Sequence, residues 1–486
     1  MIEEKGKTIK SRRRHLVKPC GPTWNGILPL SELDQVGIIT HSSHVHFFHR
    51  PIDEEWLNPS ENRIIVTLKE SLSRALVSFY PLAGRLRSLS GGRFELECNG
   101  MGVELIDAES KLKITDYGDL YSNSQKFMDL LPKMDYHVHG KPINDIPVLV
   151  VQVTRFECGG ISFGMSVSHV VVDGRSAFHF TKEWARLARG EKLIKIEPCH
   201  DRRSLLADEV TTGAIVLNFE PGNCFAELYS GQVEDTVTLP NDGPGNYFSQ
   251  LYSGQVEKLE WGKKVTPTFI LLSKEWIERL KEVANYNEDV HGRPYSRFEI
   301  ITAYIWTCVS KARDLNTEEI TTLAVCVDVR GRLEPPLPSS YFGNAIVDVE
   351  ATSNVGELLS RPLSYVCSRV REAIEKVTGE YVSSTIKYMK SKKSVAKYQY
   401  IDDRGNIECP SSTTDDYNVD VMSWLNLSDL GIDFGWGKDF YTGPCIVNGF
   451  DGDIMLFPCD DAGSVVVSVC LLPKEKFLEY VNSPIV

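Results

Sequence analysis

The stretch Ser168-His169-Val170-Val171-Val172-Asp173-Gly174 places an imidazole four residues before a carboxylate. Imidazole is the side chain whose ordinary pKa best suits it to take and return a proton near neutral pH. The flanking segments say how it is held. Upstream, Ile161, Phe163, Met165 and Val167 alternate with smaller or polar residues, the period of a half-buried β-strand with one side on a core. His169 continues that side where the strand gives out, so its ring is expected at the rim of the core. Downstream, Asp173 and Gly174 turn the chain into a helix over 175–189, on which Ala177, Phe180, Trp184 and Leu187 recur at helical spacing. A strand, a histidine at its end, a turn and a helix can hold a general base rigidly. A His followed by Asp at the fourth position is also common by chance in a chain with eleven histidines. The residues alone leave both a general base and a satisfied core histidine open.

Composition narrows the chemistry. With 53 basic and 66 acidic side chains and a net charge of -13, the chain is a poor match for nucleic acid, which wants a basic face; a neutral or cationic small molecule fits better. No apolar run approaches the length that spans a bilayer, so no membrane role is expected. The basic N-terminal residues Lys5, Lys7, Lys10 and Arg12 to Arg14 are not followed by the apolar segment of a secretory signal; they read as a solvated arm on a cytoplasmic protein. Twelve cysteines stand singly with no CxxC pair, as in a reduced protein, and zinc is not expected. His41, His44, His46 and His49 alternate along a predicted strand. Nothing acidic or thiol-bearing within it completes a ligand set, so a strand lining a polar cleft is expected and no metal.

The rest of the chain supplies the frame. A helix is expected over 61–83, ended at Pro81, and a hairpin of 147–154 with 161–167 through Cys158-Gly159-Gly160 delivers His169. From about 200 to 264 periodicity fades, and Leu-Tyr-Ser-Gly-Gln-Val-Glu occurs twice, at 228–234 and 251–257; two copies in a connection read as a small duplication in a surface loop. Beyond it come a strand at 267–272, helices begun by Ser273 and Ser296, a strand at 323–329, a helix over 355–376, an irregular acidic region, and strands at 453–457 and 464–472. Helices and strands mixed without regular βαβ alternation give an α+β class. No GxGxxG or P-loop is present.

These segments together resemble the plant BAHD acyl-CoA transferases over nearly the whole chain. HxxxDG stands at 169–174 and DFGWG at 433–437, with SELDQ at 31–35, YPLAGR at 80–85, SRFE at 296–299 and PPLPxxYFGN at 335–344 in the expected order. The resemblance implies two similar-sized mixed α/β domains of the chloramphenicol acetyltransferase-like type, residues 1–200 and 265–486. A long crossover loop, 201–264, joins them, and a channel between them is entered by acyl-CoA from one face and the acceptor from the other. It implies acyl-CoA as co-substrate, no bound cofactor, no metal, and a chain acting as a monomer.

The same resemblance assigns residues. His169 is the general base. Asp173 points away from the channel to pair with Arg330, and Gly174 follows it in the turn. Asp433, Gly435, Trp436 and Gly437 form a structural loop. Trp424 corresponds to an indole that donates to the tetrahedral oxyanion in hydroxycinnamoyl transferases; Met422 stands where those enzymes often carry a small polar residue. Ser273, Lys274, Ser296 and Arg297 are expected near CoA, and His41 in the acceptor pocket. Within the hydroxycinnamoyl branch, the stretch before Ser423-Trp424 holds Asp402, Asp403, Glu408, Asp415, Asp416 and Asp420 against Arg404 alone. That balance favours a polyamine acceptor such as spermidine over a carboxylate one. O-acylation of shikimate, quinate or another alcohol, and a catalytically silent binding protein, are the alternatives. A carrier-fed condensation domain, which shares HxxxDG, usually doubles the histidine where this chain has Ser168.

Overall fold

Two six-stranded sheets organise the chain. The computed structural model describes residues 8–58, 62–121, 124–132, 143–205, 264–286, 293–395, 398–400, 418–427, 431–444, 449–459, 461 and 463–482. In chain order the strands of the two large sheets are β1 (Ile9–Val17), β2 (His41–Phe48), β3 (Val103–Ser110), β4 (Leu149–Arg155), β5 (Ile161–Ser168), β6 (Thr268–Leu272), β7 (Ile320–Asp328), β8 (Ile346–Asn354), β9 (Asn418–Ser423), β10 (Asp439–Pro444), β11 (Asp453–Pro458) and β12 (Val465–Val469). The first sheet runs β1-β3-β4-β5-β2-β10, the second β6-β12-β11-β9-β7-β8. Both mix parallel and antiparallel neighbours, which gives two mixed α/β domains.

Each sheet buries one face under helices. On the first lie α1 (Arg63–Ser78) and α2 (Gly174–Ala188), whose Leu68, Leu72, Leu76, Phe180 and Trp184 pack with Val151, Val153, Phe163 and Met165. On the second lie α3 (Lys274–Ala284), α4 (Arg297–Arg313), α5 (Val355–Ser360) and α6 (Leu363–Lys376). Their apolar stripes meet Leu323, Val325, Val347, Val349, Val421 and Leu456. The alternate residues Cys326, Asp328, Asp348, Glu350, Asp420, Met422, Asp453 and Met455 therefore occupy the other face and stay half-buried. That face is turned toward the first domain: Tyr121 stacks on Phe457 at 6.5 Å, and Arg175 at the start of α2 donates to Asp328 at 2.9 Å.

Several expectations are corrected. The basic N-terminal arm is strand β1 from Ile9 onward, paired antiparallel with β3 through its main chain while Arg12, Arg13 and Arg14 stay exposed. An edge strand needs no apolar alternation, and its cations discourage further pairing. Strand β5 is buried along both faces, because the segment 124–131 covers the side opposite the helices; a Cβ on Gly164 would lie 2.3 Å from the Leu130 carbonyl. The helix expected over 355–376 is two helices, since Pro362 cannot continue α5 and instead precedes α6. A further helix, α7 (Gly379–Ser391), occupies the start of the region read as irregular. The histidine-bearing strand does not line a polar cleft: His44 and His46 are buried in β2, between β5 and the edge strand β10. The duplicated heptapeptide, most of the crossover, and Asp402, Asp403, Arg404, Glu408, Asp415 and Asp416 lie outside the described residues.

The DFGWG stretch follows the second domain's elements in sequence, yet it packs in the first domain's core and leads into β10 of the first sheet. Phe434 is fully buried against Phe163 at 4.9 Å and Trp184 at 5.3 Å, and stacks on Trp436 at 5.3 Å. His46 Nδ1 and Asp439 Oδ2, both fully buried and 2.7 Å apart, fasten β10 to β2. Phe434→Ala is expected to lower the unfolding free energy by about 3 to 5 kcal/mol, the usual cost of emptying an aromatic core site, read from urea unfolding.

Candidate active site

The end of β5 is fixed by main-chain bonds on both sides. Ser168 N donates to Val148 O at 2.8 Å, and His169 N to Thr40 O at 2.9 Å. Val171 N then turns back to Ser168 O at 3.1 Å. Val170, Val171 and Val172 are buried, which anchors the turn and leaves His169 as a half-buried member of it. Shielding from water holds the His169 imidazole below its ordinary pKa, although Asp173, its own main-chain carbonyl, Asp34 and Asn344 each favour the protonated ring. At neutral pH the ring is therefore the free base.

Asp173 does other work. It caps α2, its Oδ1 accepting from Ser176 N at 2.9 Å. Arg330 Nη2 lies 2.8 Å from its Oδ2, and both side chains are nearly excluded from solvent. Ala345 N also donates to Oδ2, at 3.1 Å. Arg330 further donates to the carbonyl of Gly343 at 3.1 Å and to Asp328 Oδ1 at 3.3 Å. The ion pair thus joins the first helical turn after His169 to the second domain. Gly174 is needed here for space, since a Cβ would come within 2.7 Å of Leu427 Cδ1.

A second knot lies on the opposite flank. Asp34, fully buried, accepts from Ser31 N and Oγ at 2.8 Å, from Arg202 Nε at 3.0 Å, and from both nitrogens of Asn344 at 2.9 Å. Asn344 Nδ2 also donates to His169 O at 2.7 Å. The motifs SELDQ and YFGN mark Asp34 and Asn344 in the sequence, but nothing in their spacing shows that they meet; they are 310 positions apart.

The remaining expected residues fall in four groups. Trp424, half-buried, follows β9; its ring meets Phe178 of α2 edge-on at 5.8 Å and His44 at 6.1 Å, so the indole stands between the two domains. In the DFGWG turn, Asp433 Oδ1 accepts from Gly435 N at 2.8 Å and Gly437 N at 3.2 Å. Both glycines have positive φ, +114° and +121°, which suits glycine alone at so tight a turn. Trp436 is buried against Phe48 and Trp56. Arg189 at the end of α2 donates to the Asp433 carbonyl, so this loop braces α2 and carries no group placed for proton transfer.

His41 donates from Nε2 to Pro147 O at 2.8 Å, and burial pulls its pKa down to about 4. It lines a small apolar cavity with Ile39, Leu86, Ile143, Ile146, Val148 and Ser168. Ser273 and Ser296 spend their hydroxyls as caps of α3 and α4, whereas Lys274 and Arg297 converge on one turn: Lys274 N donates to Ser464 Oγ at 3.1 Å, and Arg297 Nη1 reaches Gly463 O at 3.4 Å. Among the described residues no group of three or more His, Cys, Asp or Glu side chains is arranged to hold a metal ion. No helix among them is long and apolar enough to cross a membrane.

Asp173→Asn keeps the shape of the helix cap and removes the charge facing Arg330. It is expected to cost about 3 to 5 kcal/mol, because a buried guanidinium loses its main counter-charge. Adding Arg330→Met should recover part of that loss, so the double variant unfolds at higher urea than additivity gives.

Comparison with known proteins agrees with this architecture. The Transferase family profile matches residues 7–482. The chain is 39% identical over 465 residues to hydroxycinnamoyl-CoA:piscidic acid hydroxycinnamoyltransferase of Actaea racemosa, covering 94% of this chain and 95% of the relative. It is 33% identical to anthranilate N-benzoyltransferase protein 1 of Dianthus caryophyllus, covering 97% and 99%. Among solved structures, vinorine synthase superposes with a TM-score of 0.68 at 21% identity, covering 97% of this chain and 96% of that one. With a family profile spanning nearly its whole length and relatives matched end to end, the chain belongs to the BAHD acyltransferases, enzymes that take acyl-CoA as co-substrate.

Proposed function

We propose that this enzyme moves an aromatic acyl group of the hydroxycinnamoyl type from CoA to a small acceptor, with His169 as general base. The observation that carries this reading is the placement of His169: a half-buried imidazole at a rigid strand end, braced from both domains, with burial holding its pKa below the ordinary value. Its ring nitrogen takes the proton of the acceptor amine or hydroxyl as that atom attacks the thioester carbonyl. The tetrahedral oxyanion collapses, the C–S bond breaks, and the imidazolium returns the proton to the CoA thiolate. Trp424 is assigned the oxyanion donor role, its indole standing between the domains. Lys274 and Arg297, the two cations at the 463–464 turn, are assigned to CoA phosphates. All these groups come from one chain, in keeping with a monomeric enzyme.

For the acceptor, we infer an aliphatic polyamine such as spermidine. Asp420, the one described member of the acidic stretch, shares the inward face of the second sheet with Asp348, Glu350 and Asp453. Burial raises the pKa of Asp348, so this surface gains from a cation beside it. The competing reading, transfer to a small carboxylic acid, is favoured by the names of the relatives, which specify piscidic acid and anthranilate.

Purified full-length protein with coumaroyl-CoA and spermidine, agmatine, shikimate or quinate separates the two readings. Amide products from the amines are expected; turnover confined to the acids would reject the polyamine. Because the His169 pKa lies below its ordinary 6.5 and the base acts deprotonated, kcat/KM should fall with acidity along a limb whose midpoint is below 6.5.

A further inference from the structure

Asp173, the carboxylate four residues after the imidazole, is fully engaged and does not orient it. Both Asp173 oxygens are taken by Ser176 N, Arg330 and Ala345 N. The orientation of the His169 ring needs another source, and the knot on the opposite flank provides one.

Asn344 is almost wholly buried. Its main-chain N and its Nδ2 both donate to Asp34 Oδ1 at 2.9 Å, and Nδ2 donates again to His169 O at 2.7 Å. Acceptors on both sides of Nδ2 fix which end of the carboxamide is nitrogen. Asp34 cannot yield, because its Oδ2 is held by Ser31 and by Arg202. The clamp therefore fixes the main chain of the residue that carries the imidazole, at the end of a strand already held by His169 N on Thr40 O. The same clamp leaves Asn344 Oδ1 buried without a hydrogen-bond partner, beside a ring whose protonated form it favours.

We propose that Asn344 is a positioning residue for His169: anchored by Asp34, it holds the main chain that carries the imidazole, and its Oδ1 becomes the acceptor for the imidazolium formed in the transfer. A carboxamide suits this task better than a second acid. It can donate to Asp34 and to the carbonyl at once, whereas a carboxylate would repel Asp34 and lack the donors. The inference rests on the reading of His169 as the base, and it adds what keeps that base aimed and how its charge is met.

The test uses the full chain with Asn344→Ala and Asn344→Gln, read three ways. In acyl transfer, Asn344→Ala should lower kcat by about 10²-fold, as a misaimed base does, with the KM for acyl-CoA little changed. The acid limb of kcat/KM should move to lower pH, since a group favouring the imidazolium has gone. Asn344→Gln, which keeps the amide but displaces it, should fall between the two. Independently of turnover, the His169 ring titration followed by NMR with labelled histidine should also shift down in Asn344→Ala. That arm separates failure of this inference from failure of the transferase reading, because it needs no substrate. Unchanged kcat and titration, or activity lost only in step with the folded fraction, would overturn the proposal; so would loss of the fold in both variants, which would make Asn344 a purely structural residue.

Discussion

A carboxylate and a guanidinium buried together, Asp173 against Arg330, are what the rest of the site depends on. Neither charge survives unaided away from water; each is met by the other across the domains, and each is also held within its own domain, Asp173 by Ser176 N and Arg330 by the Gly343 carbonyl. The pair therefore does more than add stability. It fixes the start of α2, and with it the turn carrying His169, relative to the second sheet. The Asp34–Asn344 contact does the same from the other side with neutral and charged partners combined. The imidazole is held between two interdomain clamps, and a third fastening, β10 with its His46–Asp439 pair, ties late sequence into the first sheet.

This arrangement explains why the two sequence signatures differ in kind. In the first, one residue is free to act while its neighbours are spent on holding it: three valines are buried, Asp173 is committed to Arg330, and Gly174 leaves room for Leu427. In the second, the Asp433 carboxylate is turned inward to close a loop, and the aromatic rings fill the core beneath α2. Its connection to the site is mechanical, through the helix that begins next to His169.

What could be read beforehand was local. The hairpin leading to His169, the helix after it, and the caps at Ser273 and Ser296 all announce themselves within a dozen residues through periodicity and turn chemistry. What could not be read was carried by pairings across the chain. Strand β1 has no apolar rhythm because its main chain pairs with β3 while most of its side chains stay exposed; β5 alternates apolar with small or polar residues, yet its second face is also covered. The division of one expected helix at Pro362 was legible, since the proline stands in plain sight, but the apolar period ran across it. The functions of Asp34 and Asn344 became visible only when residues 310 positions apart met. The four candidates for CoA likewise separated only in space, two hydroxyls spent on caps, and Lys274 through its main chain and Arg297 through its guanidinium meeting at one turn.

The proposed acyl transfer needs one imidazole acting as base inside a frame that does not need it for folding. Replacing it tests this most directly: with His169→Ala, release of free CoA from an aromatic acyl-CoA in the presence of acceptor should fall by about 10²- to 10⁴-fold, while circular dichroism and the urea midpoint stay those of the parent chain. CoA release at the parent rate from the folded variant would contradict it.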